Sequence, residues 1–80
     1  MEKEYILGKI DETLEISINH HNYQISLDLK PEEITGWDSM VNAMVVTSIE
    51  KCFEIKLKFS EIIAWKTIGD LVDIIYKKLQ

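Results

Sequence analysis

Gly36-Trp37-Asp38-Ser39-Met40 is the stretch that decides how this chain is read, because it marks the mouth of a helix. Asp38 is a good N-cap residue, with a short carboxylate able to accept hydrogen bonds from the first free helix amides. From Met40 onward the apolar residues recur at helical spacing. Ser39 therefore falls in the first turn, exposed, beside unpaired N–H groups and the positive end of the helix dipole. A phosphate ester on its hydroxyl is favoured in such a place, since helix N-termini attract anions.

Downstream, this helix is predicted to run from Ser39 to about Phe53. Projected at about 3.6 residues per turn, Asn42, Val45, Val46, Ile49 and Phe53 share one face, which is assigned to the core. Met40, Ala43, Met44 and Thr47 fall on the other side, near Ser39. Glu50 and Lys51 are the only charged groups in the segment. Apolar residues away from the core face are either scattered exposure or a partner contact. Methionine adapts to surfaces of varied shape, which favours a docking patch made of Met40, Val41, Met44 and Thr47.

Upstream, Ile6, Leu7, Ile10 and Leu14 recur at three- and four-residue steps, with Lys9, Glu12 and Glu15 between them. That spacing predicts an amphipathic first helix over residues 2–15. Residues 14–29 are ambiguous. Leu14, Ile16 and Ile18 alternate with polar residues, as do Tyr23, Ile25, Leu27 and Leu29, around a polar His20-His21-Asn22 turn. Taken alone, alternation of this kind suggests a β-hairpin. Pro31 then suits the start of one short helical turn. Beyond Phe53, Ser60 is expected to cap a short third helix containing Ile62, Ile63 and Trp65. Thr67-Ile68-Gly69-Asp70 reads as a capping box opening a last helix, whose buried stripe is Ile68, Leu71, Val72, Ile75 and Leu79. Lys77 and Lys78 complement its C-terminal dipole.

Eighty residues allow one domain, residues 1–80, with a modest core. The net charge of −5 argues against nucleic-acid binding, which calls for basic surfaces. The charge is uneven: residues 1–38 hold nine acids and three lysines, residues 39–80 five acids and six lysines. Without any arginine, bidentate capture of phosphate by guanidinium is excluded. No apolar run reaches membrane-spanning length, and Met1-Glu2-Lys3-Glu4 is too charged for a secretory signal. A cytoplasmic location is expected. His20 and His21 are adjacent and cannot share one helical metal-binding face. With Cys52 the lone thiol, they are read as solvated loop residues rather than zinc ligands. Cys52 itself is assigned to the edge of the core as a small apolar filler. No Gly-x-Ser-x-Gly elbow surrounds Ser39, so it is not read as a catalytic nucleophile, and the chain is expected to be a non-catalytic protein.

Asp38-Ser39-Met40 resembles the Asp-Ser-Leu signature of acyl carrier proteins, whose serine bears a 4′-phosphopantetheine arm. The resemblance extends over the whole chain: a first helix, a long loop, Asp-Ser-Met opening a second helix that closes at Phe53, a short third helix, and a fourth opening at Thr67. Residues 59–72, FSEIIAWKTIGDLV, also look like a carrier C-terminus. It implies an all-α fold, a small and mostly antiparallel four-helix bundle with a long loop between helices 1 and 2 and a short third helix. It further implies an arm on Ser39 holding an acyl intermediate as a thioester, and Asp38 as part of what a phosphopantetheinyl transferase recognises. The other implied partners are acyl-loading and acyl-transferring or condensing enzymes of fatty-acid, polyketide or related specialised biosynthesis, and the chain is expected to be a monomer. Its cargo would hang free or tuck between the second and third helices near Ile49, Phe53, Ile62 and Trp65, where bulky Trp65 restricts the space.

Two departures from the family pattern bear on the pathway. Primary fatty-acid carriers usually have Gly-Ala-Asp-Ser-Leu followed by an acidic second helix. Here Trp37 replaces the small residue, and Val41 and Met44 stand where acids are common. Trp37 is read as an anchor for the loop rather than a substrate contact. Two alternatives remain open: an aminoacyl or peptidyl carrier on the same fold, and an unmodified helical interaction module.

Overall fold

A computed structural model of the chain describes residues 2–18, 23–34 and 36–80. Its elements are α1 (Lys3–Ser17), a 3₁₀ turn (Pro31–Glu33), α2 (Ser39–Phe53), α3 (Phe59–Ala64) and α4 (Ile68–Lys78). Among the described residues the fold is all-helical, and α1 packs against both α2 and α4. Tyr5, near the start of α1, meets Phe53 at the end of α2 edge-on, ring centroids 6.5 Å apart, as in an antiparallel pair. No described helix is long and apolar enough to cross a membrane.

The apolar stripes of the helices supply the core. Ile6, Ile10 and Leu14 of α1 meet Val41, Val45, Ile49 and Phe53 of α2 and Ile68, Leu71, Val72 and Ile75 of α4, joined by Ile18, Ile34 and Trp65. No polar residue is buried among them. Two faces differ from expectation. Val41 is buried, 8% exposed, while Asn42 is only half-buried. The row that faces α1 is Val41, Val45, Ile49 and Phe53 at steps of four, so Val41 does not share the exposed surface of Met40 and Met44. Cys52 is exposed rather than a core filler, because it lies about 100° around the helix from buried Phe53.

No strand forms within the described part of residues 14–29: α1 continues to Ser17, and 23–29 run as loop. The His20-His21-Asn22 turn, and the reading of both histidines with it, lies outside the described residues. Tyr23, Ile25 and Leu29 pack against the core as half-buried groups, while Ile16, on the last turn of α1, is 83% exposed. What fixes the loop is its backbone. Leu29 C=O accepts from Ile68 N–H and Leu27 C=O from Gly69 N–H, both at 2.8 Å. These are orphan amides at the N-terminus of α4, and Thr67 Oγ1 takes the next one, from Asp70 N–H, at 3.1 Å. Asp70 completes the capping box by accepting from Thr67 N–H and Lys66 N–H. Those backbone N–H groups hold its carboxyl below the usual carboxylate range.

The short elements follow similar logic. Pro31 opens the 3₁₀ turn, and Glu33 accepts from Lys30 N–H at 2.9 Å. Ser60 does not cap α3. The helix starts two residues earlier than such a cap would place it, after Lys58, because Glu61 accepts Lys58 N–H at 2.8 Å and so closes the first turn from within. The same Glu61 pairs with Lys78 of α4 at 2.9 Å. Helix α2 ends on Glu54 in the left-handed conformation (φ 55°), with Ile55 N–H bonded to Glu50 C=O.

Gly69 is required by the loop contact: a Cβ there would lie 2.8 Å from Leu27 C=O. Gly8, exposed on α1, has nothing within 4 Å of that position. Gly69→Ala is therefore expected to cost about 1–3 kcal/mol in urea unfolding, as overpacking does. Gly8→Ala should stabilise by about 0.5–1 kcal/mol through helix propensity. Equal midpoints for the two variants would show that the loop does not clasp α4.

Candidate functional site

The approach to Ser39 is built from three consecutive constraints. Ile34 is buried, and its C=O accepts from Trp37 N–H at 3.3 Å, closing a turn that contains Gly36 at φ 93°. Only glycine adopts that angle without strain, which explains its place in the motif. Trp37 then lays its ring edge-on to Trp65, with centroids 5.8 Å apart and planes at 65°. Trp65 is 8% exposed and Trp37 half-buried, so Trp37 anchors the loop to the core through Trp65. Asp38 follows in extended conformation and caps α2: its Oδ1 accepts from Val41 N–H at 2.9 Å, and its C=O accepts from Asn42 N–H at 2.9 Å.

Ser39 is the first residue of α2, and it is exposed. Among the described residues its hydroxyl has no hydrogen-bond partner, and the amides of Ser39 and Met40 have no protein acceptor. The hydroxyl thus stands beside two open N–H donors and the positive end of a fifteen-residue helix. The nearest carboxylate in sequence, Asp38, is turned to its cap. Met40 is 72% exposed and Met44 43%, with Thr47 exposed one turn further on. These three share the surface of α2 with Ser39, and Val41 does not.

Of the other residues singled out in the sequence, three lie inside and one does not. Ile49, Phe53 and Trp65 are core residues, and Ile62 is half-buried on α3. A depression of about 320 Å³ lies farther along α2, lined by Thr47, Glu50, Lys51, Glu54, Ile55 and Lys56. Among the described residues no group of three or more His, Cys, Asp or Glu could hold a metal ion. Sequence reasoning missed the Trp37–Trp65 contact, for which no local signal exists. It also missed the burial of Val41, for which one did: the four-residue step from Val41 through Val45 to Ile49.

No protein-family model matches this chain, and neither a curated protein nor a solved structure matches it.

If the Asp38 cap fixes the start of α2, Asp38→Ala should lower stability by about 1 kcal/mol and Asp38→Asn by much less, since asparagine keeps the acceptor. Equilibrium urea unfolding of both variants tests this. Equal stability of Asp38→Ala and the parent would remove the cap from the account.

Proposed function

We propose that this chain is an acyl carrier whose Ser39 bears a 4′-phosphopantetheine arm. The observation that carries the reading is the exposed Ser39 hydroxyl, without a partner among the described residues, at the first position of a capped helix. It is supported by the order of elements that resembles acyl carrier proteins from end to end. The residues fit such a group. A phosphodiester on Ser39 Oγ would have the Ser39 and Met40 amides as donors and the helix dipole as a favourable field.

The chemistry the arm supplies is a terminal thiol that holds an acyl group as a thioester. The chain's own part is passive. In the transfer, Ser39 Oγ loses its proton and bonds to phosphorus as the pyrophosphate link of coenzyme A breaks and its nucleotide half leaves. A separate phosphopantetheinyl transferase would carry out this step. Asp38 holds the serine at the helix mouth, and Met40, Met44 and Thr47 form the surface on which partner enzymes dock. Trp65 fills the interior together with Ile49 and Phe53, which favours cargo carried outside the bundle. That same filling suits an aminoacyl or peptidyl cargo, which needs no apolar sheath.

Incubation with coenzyme A and a broad-specificity transferase should add one phosphopantetheine per chain, seen by intact-mass spectrometry. Ser39→Ala should abolish the gain with its helical circular dichroism unchanged. Modification that persists in Ser39→Ala would place the arm on another residue, and none in the parent would refute the reading.

Docking should rest on apolar contact more than on charge, because α2 offers only Glu50 and Lys51 as charged side chains. Exposed charge pairs are screened over about 8 Å at physiological ionic strength, whereas apolar burial is not. The transferase's KM for the carrier should therefore rise only modestly with salt, and Met44→Glu should raise it clearly. A steep salt dependence with a neutral Met44→Glu would move recognition to the acidic α1 and loop.

A further inference from the structure

We infer that Trp37 is a positioning residue for the modification of Ser39: its contact with Trp65 holds the first turn of α2 preformed against the α3–α4 junction. The inference rests on Ser39 as the attachment site and adds how that site is kept ready. Ser39 itself is tied to the body only through its neighbours. Upstream, the chain reaches it through the turn at Gly36, a position with open backbone freedom. Downstream, Met40 is 72% exposed, and the first inward anchor on α2 is Val41. Between Gly36 and Val41 the large side chain that meets the core is Trp37, packed on a ring that is itself 8% exposed.

Trp65 is well placed to receive that contact. It is the C-cap residue of α3 and lies two residues before the Thr67 cap of α4. The α3 segment buries none of its own residues and is tied to α4 by the Glu61–Lys78 ion pair. The indole pair therefore links the mouth of α2 to the other half of the chain, where the main helix packing runs through α1. Edge-to-face aromatic contact is directional, so it fixes orientation as well as distance. Removing it frees Asp38 and Ser39 to swing about Gly36 while leaving Met40, Met44 and Thr47 in place on the helix. The transferase would still dock, but on a serine whose hydroxyl is less often in line for attack.

The test compares the parent, Trp37→Ala and Trp37→Phe, with coenzyme A and a broad-specificity transferase, well below the melting temperature of each. Misplacement of a reacting group can cost as much as about a hundredfold in rate. Trp37→Ala is expected to lower kcat by about tenfold while changing KM less than about twofold, and Trp37→Phe, which keeps an edge-to-face ring, to restore most of the rate. Amide hydrogen exchange gives a second readout that needs no transferase: the Val41 and Asn42 amides should exchange faster in Trp37→Ala while those of α4 keep their protection. Parent-like kcat together with parent-like exchange at Val41 and Asn42 would overturn the inference. So would a uniform rise in exchange across all helices, which marks a merely structural loss. If the parent is not modified at all, the reading of Ser39 fails, and the exchange data alone decide whether Trp37 holds the turn.

Discussion

The clasp between the loop and the N-terminus of α4 is the constraint on which the rest depends. Leu27 and Leu29 give their carbonyls to the first amides of α4, and Gly69 has no side chain because Leu27 occupies the space. A buried amide left without an acceptor costs about 1–3 kcal/mol, a large share of what so small a domain has to spare. The long segment between α1 and α2 is thus a structural member with a fixed path. That path delivers Ile34 to the core, turns at Gly36, seats Trp37 and ends at the Asp38 cap. Ser39 stands where it does because each step fixes the next.

Much of this was legible in the sequence because it is local. Asp38 and Thr67 announce their helices by side-chain chemistry that acts within three residues. The stripes of α1, α2 and α4 follow from apolar spacing, and Pro31 starts its turn where its fixed φ suits one. The boundaries of α2 fall at Ser39 and Phe53, where spacing and the cap placed them. Spacing left one segment open and misassigned other positions. Residues 23–29 alternate like a strand, yet their backbone bonds to the end of a helix rather than to another strand, and alternation cannot distinguish the two. Lys58 rather than Ser60 starts α3 because Glu61 reaches back to the Lys58 amide. Val41 lies inside, on the four-step row to Val45 and Ile49, and not with the exposed methionines.

The two halves of the chain divide the work. Packing of α1 against α2 and α4 provides a core whose fully buried residues are all apolar among the described residues, and exposed ion pairs such as Lys3–Asp73 add little to it. Among the described residues, the stretch from Ser39 to Thr47 puts an open hydroxyl, two amides without a protein acceptor and an adaptable apolar surface within three turns of one helix. The combination suits a group carried outside the bundle and handed to other proteins. The proposed carrier role draws on two things: the residue order around Asp38-Ser39-Met40, and the exposure of Ser39 at the first position of α2.

The central claim is that Ser39 carries the arm in the living cell. The direct measurement is mass spectrometry of the protein isolated from its native cells, intact and after digestion. The account predicts a population heavier by one phosphopantetheine, alone or acylated, with the added mass confined to the peptide that contains Ser39. A chain found wholly at its unmodified mass in growing cells, or modified on any other residue, would contradict it.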